Sequence, residues 1–78
     1  MENTTERIKK IMSIVFEISE NSITENSSAD SIENWDSLRH LSLILGLEEE
    51  FDITIPDEEV GNLINFKLIE LIVNEQSK

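Results

Sequence analysis

The segment WDSLRHLSLILGLEEEFDITIPDEE, residues 35–59, contains the main helical pattern of this chain. From Ser37 to Phe51, leucines and isoleucines recur at three- and four-residue intervals, which is the spacing of a helix face. Asp36 and Ser37 stand at the start of the pattern, and either side chain can cap a helix by accepting a hydrogen bond from a first-turn N–H. We therefore predict a helix from Ser37 to Phe51.

This helix should bury one stripe of apolar residues. Helical spacing selects as the inward face Leu38, Leu41, Leu45 and Leu47, with Ile44 at its edge. Gly46 stands in the helix interior, where glycine costs about 1 kcal/mol relative to alanine. We expect close packing of a neighbouring segment to explain this glycine.

The residues before this segment predict another helix and a long connection. The apolar residues of one helical face are Ile8, Ile11, Met12, Val15 and Phe16. Asn3 is the expected cap, so we predict a helix over about residues 4–18. Residues 19–35 are polar and lack periodicity, which leaves a packed loop or disorder as alternatives. Ile23, Ile32 and Trp35 are apolar anchors that favour the packed loop.

The residues after Phe51 complete the expected fold. Residues 52–56, DITIP, are predicted as an extended loop with its isoleucines turned inward, and a short helix should follow Pro56 and end near Gly61. Asn65 then caps a last helix, whose expected buried face consists of Phe66, Leu68, Ile69, Ile72 and Val73. We predict a single all-α domain over residues 1–78, a four-helix bundle with three longer helices and one short helix.

Composition excludes several classes of function. The net charge of −11 disfavours binding to nucleic acid or to anionic membranes and favours partners with basic patches. The chain has no cysteine and one histidine, so a thiolate or histidine-rich metal site is not expected. No apolar run approaches the roughly 20 residues that span a bilayer. We expect a cytoplasmic monomer without membrane insertion.

Ser37 has three interpretations at this point. It could be only a helix cap, although Asp36 beside it caps equally well. It could be a nucleophile, because Asp36, Ser37 and His40 include the residue types of a hydrolase triad. However, the sequence has no nucleophile elbow and no glycine-rich turn for an oxyanion hole. It could finally be an attachment point for a phosphate-linked arm, because a helix N-terminus favours phosphate.

Three linked segments resemble the acyl carrier proteins, in the order and spacing of that family. They are Asp36-Ser37-Leu38, then Leu47-Glu48-Glu49-Glu50-Phe51, then Ile55-Pro56-Asp57-Glu58-Glu59. The pattern WDSLxHL at residues 35–41 is similar to stand-alone carriers of specialised pathways, including the D-alanyl carrier-like group.

The resemblance implies a carrier and not an enzyme, with the acyl-carrier helical bundle as its fold. It implies that Ser37, flanked by Asp36 and Leu38, carries 4′-phosphopantetheine from coenzyme A, installed by a phosphopantetheinyl transferase. The arm's thiol would hold acyl or aminoacyl groups as thioesters, supplied by a loading ligase and used by downstream enzymes of a biosynthetic pathway. The alternative is an unmodified acidic interaction module in which Ser37 is only a cap.

The resemblance also implies a surface on this helix that partner enzymes contact through basic patches. The residues implied are Leu41 and Leu45 as apolar contacts and Glu48 and Glu49 as charges. To these we add Arg39 and His40, which depart from the acidic start that this helix usually has in the family. Arg39 and His40 are where we expect partner choice to be decided.

Overall fold

A computed structural model describes residues 3–76, which form helices packed on one apolar core. The four α-helices are α1 (Thr4–Phe16), α2 (Ser37–Phe51), α3 (Asp57–Val60) and α4 (Phe66–Gln76), and a 3-10 turn covers Glu20–Ser22. The one pairing of strand type in this range is an isolated bridge between Ser28 and Asn65. The predicted all-α bundle of three longer helices and one short helix is confirmed.

Helix α1 starts where its sequence predicts and ends two residues early. The Asn3 side chain accepts from the Glu6 N–H at 2.9 Å, which satisfies one of the free first-turn amides. At the other end, Glu17 has φ 55° and ψ 47°, the left-handed conformation, and its N–H bonds to the Ser13 carbonyl. Such a residue closes the last turn, and it is usually glycine or asparagine. A glutamate gives no such signal, so the predicted end at residue 18 is wrong.

The buried face of α2 differs from the predicted one. The buried residues of this helix are Leu43, Ile44 and Leu47. The exposed fractions of Leu38, Leu41 and Leu45 are 77%, 55% and 64%, so the prediction that these three face inward is wrong. Ile44, placed at the edge by the sequence, lies in the core with Leu47.

Gly46 marks the closest approach of α1 to α2. A Cβ atom added at Gly46 would lie 3.2 Å from Cγ2 of Ile11, which is tighter than an ordinary van der Waals contact. The expected close packing at this glycine is confirmed. On α1, Ile8, Met12 and Phe16 are fully buried, as predicted.

The long connection between α1 and α2 is a packed loop. Ile23 and Ile32 are buried, and the half-buried Trp35 packs its ring 4.7 Å from that of Phe16. Backbone hydrogen bonds from Ala29 N to Ile64 O and from Phe66 N to Ser27 O tie the loop to the start of α4. The packed-loop prediction is therefore confirmed.

The C-terminal elements follow the predicted order. Helix α3 begins after Pro56 and ends before Gly61. The Asn65 side chain accepts from the Leu68 N–H at 2.9 Å, which confirms it as the cap of α4. The predicted buried face of α4 is correct for Phe66, Ile69, Ile72 and Val73, whereas Leu68 is only partly buried. A hydrogen bond from Thr5 to Glu70 links α1 to α4.

Candidate functional site

The first turn of α2 presents Ser37 to solvent. Asp36 is the N-cap, with an extended backbone and a carboxylate that accepts from the Arg39 N–H at 2.8 Å. Ser37 is therefore the first helical residue, and its side chain is exposed. Because Asp36 caps the helix, the Ser37 hydroxyl is not used for capping and remains accessible for chemistry.

Ser37 lies on the rim of an open groove with a volume of about 570 Å³. The residues that line it are Ala29, Trp35, Asp36, Ser37, His40, Leu41, Gly61 and Ile64. They come from the packed loop, from the first turns of α2 and from the α3–α4 connection, so only the tertiary fold brings them together. Leu41 and Ile64 are each at least half exposed there, which gives the groove apolar walls beside the serine hydroxyl.

Arg39 joins the start of α2 to the end of α1. Its Nε donates to the Val15 carbonyl at 3.2 Å, which satisfies one of the free carbonyls at the C-terminus of α1. Its other guanidinium nitrogens bond to Glu17 at 2.7 Å and to Asp36 at 3.4 Å. The hydrogen bond to the Glu17 carboxylate, helped by the charge of Asp36, raises the pKa of Arg39 above its ordinary value.

His40 has partners other than Ser37. Its Nδ1 accepts from the Trp35 indole N–H at 3.0 Å, and its Nε2 lies 2.6 Å from the Val60 carbonyl oxygen. Both ring nitrogens are therefore occupied by groups other than the serine hydroxyl. The hydrolase interpretation needs an imidazole hydrogen-bonded to the nucleophile, and this arrangement does not provide one.

The later turns of α2 carry apolar and acidic side chains outward. Leu41, Leu45 and Glu49 are exposed. Glu48 is half-buried, because its carboxylate accepts from the Ile55 N–H at 2.8 Å and so holds the extended DITIP segment against the helix. Thus, of the six residues predicted as partner contacts, Leu41, Leu45 and Glu49 are exposed, whereas Arg39, His40 and Glu48 also have hydrogen-bond partners within the fold.

Sequence reasoning did not anticipate the links made by Arg39 and His40. Val15 lies 24 residues before Arg39, and Val60 lies 20 residues after His40. Both acceptors are backbone carbonyls, which every residue type carries, so no sequence motif marks them. Ile64 and Gly61 were likewise not recognised as groove residues, because each reaches the groove through the α3–α4 connection.

Residues 3–76 contain neither a cluster of metal ligands nor a membrane-spanning helix. Between Asn3 and Gln76, no group of three or more His, Asp or Glu side chains is arranged to hold a metal ion. None of the helices in that range combines the length and the apolar character needed to cross a membrane.

Comparison with known proteins identifies the family. No family model matches the chain. It is 39% identical over 79 residues to the acyl carrier protein of Buchnera aphidicola subsp. Schizaphis graminum, covering 100% of both chains. It is 40% identical over 79 residues to the acyl carrier protein of Buchnera aphidicola subsp. Acyrthosiphon pisum, covering 100% of this chain and 99% of the relative.

A solved structure agrees with these relatives. The solution structure of the holo acyl carrier protein from Geobacter metallireducens superposes with a TM-score of 0.82 at 30% identity. The match covers 94% of this chain and 84% of that protein. One conclusion follows from the helical fold, the exposed serine at the start of α2, and the identity of 39–40% over the full length of the relatives. The chain belongs to the acyl carrier protein family, whose members are carriers and not enzymes.

Proposed function

We propose that Ser37 is the residue to which 4′-phosphopantetheine is attached in this carrier. The observation that supports the proposal is that Asp36 and Ser37 have separate roles at the start of α2. Asp36 accepts the capping hydrogen bond from the Arg39 N–H, and the Ser37 side chain next to it is exposed. A modifying enzyme can therefore reach the hydroxyl without breaking the cap.

The surroundings of Ser37 fit a phosphate-linked arm. The N-terminus of a helix favours a phosphate through its dipole and its free amides, and α2 is 15 residues long. In the modification, Oγ of Ser37 bonds to the phosphorus on the pantetheine side of coenzyme A as the P–O bond of the pyrophosphate breaks. The adenosine bisphosphate leaves, and the hydroxyl proton passes to a base of the modifying enzyme or to solvent. The attached arm supplies the thiol that this cysteine-free chain lacks, and that thiol holds an acyl or aminoacyl group as a thioester.

The outward side of α2 is the surface that we propose for partner enzymes. Leu41 and Leu45 supply exposed apolar area, and Glu49 supplies charge beside them. Glu48 completes this acidic end, although its carboxylate also holds the Ile55 N–H. A chain with a net charge of −11 attracts enzymes that carry basic patches, since opposite potentials speed association.

The partners proposed are a phosphopantetheinyl transferase, a loading ligase and downstream enzymes that use the acyl group. Direct contact with partners through Arg39 and His40 stays a prediction, as do the specialised-pathway grouping, the cytoplasmic location and the monomeric state. We treat residues 1–78 as a single carrier domain. The alternative of an unmodified module with Ser37 as its cap is disfavoured, because the capping oxygen belongs to Asp36.

Mass spectrometry tests the attachment. The chain is incubated with coenzyme A and a broad-specificity phosphopantetheinyl transferase, with a known carrier labelled in parallel. The wild-type protein should gain the mass of one phosphopantetheine, and Ser37→Ala should gain none. Ser42→Ala is the matched control, because Ser42 is an exposed serine on the same helix, and it should label like the wild type. If the wild-type chain stays unlabelled while the known carrier is modified, the proposal is wrong.

A further inference from the structure

His40 links three separate segments that surround Ser37. Trp35, at the end of the packed loop, donates its indole N–H to Nδ1 of His40 at 3.0 Å. Nε2 of His40 is 2.6 Å from the carbonyl oxygen of Val60, the last residue of α3. One side chain on α2 therefore bridges the loop before the serine and the end of the short helix α3.

These two contacts fix the tautomer of the imidazole. An indole N–H can only donate and a backbone carbonyl can only accept. Nδ1 must therefore be without a proton, and Nε2 must carry one. In the other tautomer, or in the imidazolium form, two N–H donors would face each other at Trp35. The bridge thus requires the neutral ring in one tautomer.

Other contacts in this part of the fold make the bridge important. Trp35 packs on Phe16 in the core, so the loop side of the bridge is anchored. Helix α3 has only four residues, none of them fully buried, and Val60 at its end packs against the core. A Cβ added at Gly61, next to Val60, would meet nothing within 4 Å, so the chain there has open space. The hydrogen bond from His40 therefore ties the end of this short helix, beside the open space, to the anchored loop.

His40 is also close to the modification site. It lies one helical turn after Ser37, and both residues line the same groove together with Trp35. A residue at that spacing on a helix shares a face with Ser37. When the bridge is intact, the loop and the end of α3 are held in one arrangement next to the groove that Ser37 lines.

We propose that His40 is a positioning residue for the modification of Ser37, acting through its hydrogen bonds to Trp35 and Val60. The inference rests on the proposed function of Ser37. The bridge keeps the groove walls in the arrangement that the modifying enzyme binds. If the bridge is lost, only a fraction of the molecules has that arrangement. The apparent affinity of the modifying enzyme for the carrier is then multiplied by this fraction. Chemistry at the serine hydroxyl is unchanged, because His40 does not contact it.

The bridge itself can be measured on the unaltered protein. A long-range proton–nitrogen NMR spectrum of the imidazole distinguishes a protonated Nε2 with a bare Nδ1 from the other tautomer and from the imidazolium. Trp35 is the only tryptophan, so the tryptophan fluorescence of the protein reports on the surroundings of this side chain. We expect the Nε2–H tautomer at neutral pH, and a shift of Trp35 emission in His40→Leu but not in the control Ser42→Ala. Finding the other tautomer would overturn the proposal.

Steady-state kinetics of the transferase reaction then test the positioning role. We expect His40→Leu to raise the KM for the carrier about three- to tenfold, which corresponds to loss of one or two hydrogen bonds, with kcat within about twofold. His40→Gln can keep a donor towards Val60 and should lie between Leu and the wild type. Circular dichroism checks that each variant is folded. His40→Gln and His40→Asn replace His40→Leu if the latter does not fold.

The outcomes separate this proposal from the one on which it rests. If the wild type is not modified at all, the attachment at Ser37 is wrong and the positioning role fails with it. If the wild type is modified and every folded His40 variant has the wild-type KM, only the positioning role is overturned. A three- to tenfold fall in kcat without a change in KM would also contradict the positioning role, because that pattern indicates direct participation in the chemistry.

Discussion

The two sides of helix α2 have nearly the same composition and opposite environments. On one side, Leu43 and Leu47 are fully buried against the core. On the other, Leu38, Leu41 and Leu45 are more than half exposed. Burying a leucine side chain is worth about 1.5–3 kcal/mol, so the exposed side forgoes stability that the buried side gains. Leu41 and Leu45 on the exposed side are the apolar part of the partner surface that we propose.

The physical origin of the contrast is that α2 carries two helical stripes. Leu38, Leu41 and Leu45 are spaced i, i+3, i+7. Ile44, Leu47 and Phe51 have the same spacing, so periodicity supports either stripe equally. Gly46 lies on the side that approaches α1 and allows Ile11 to come close. Packing against α1 and the shared core thus decides which stripe is buried.

The largest effect should come from truncating the buried side. Leu47→Ala removes a fully buried side chain and leaves a cavity, so the free energy of unfolding should fall by about 2–5 kcal/mol. Leu45→Ala is the matched control on the exposed side, and its change should stay within about 0.5 kcal/mol. Urea denaturation followed by circular dichroism measures both. Equal losses in the two variants would show that the two sides of α2 contribute equally to stability, contrary to their difference in burial.

A smaller effect should follow from removing the cap of α2. This cap is Asp36, so Ser37 is the first helical residue. Asp36→Ala deletes the acceptor of the Arg39 N–H, and the free energy of unfolding should fall by about 0.5–2 kcal/mol.

Two variants serve as controls for the cap in the same denaturation experiment. Asp36→Asn keeps a capping oxygen and should recover most of the loss. Ser37→Ala should change the free energy of unfolding by less than Asp36→Ala, because its hydroxyl does not cap. A larger loss in Ser37→Ala than in Asp36→Ala would return the capping role to Ser37 and weaken its assignment as a free attachment point.

The smallest effect concerns the point where α1 meets the buried side. Gly46→Ala gains helix propensity of about 1 kcal/mol, but its new methyl would lie 3.2 Å from Ile11 Cγ2. We expect these opposing terms to leave a net change in unfolding free energy of about 1 kcal/mol or less. Thermal denaturation of Gly46→Ala alone and combined with Ile11→Ala, which removes Cγ2, measures it. The double variant should be more stable than the two single changes predict by addition; strict additivity would show that Ile11 does not limit this position.

Local features of the sequence were sufficient to predict where most elements begin and end. Asn3, Asp36 and Asn65 each cap a helix through a side-chain oxygen and an amide three residues later, so both partners lie within one short stretch. The early end of α1 escaped prediction because Glu17 adopts a left-handed conformation that its residue type does not announce. The linked motifs around Ser37 were enough to indicate the family, because they lie in one continuous segment.

The helices, the capping residues and Ser37 as the site to test could therefore be predicted from the order of the amino acids. The identity of the buried stripe of α2, and of the atoms that Arg39 and His40 bind, depended on how the helices pack together. Caps and periodicity depend on neighbours within about one helical turn, which the sequence lists directly. Burial and the contacts to Val15 and Val60 depend on residues at least 20 positions away, and those distances are set when the helices pack.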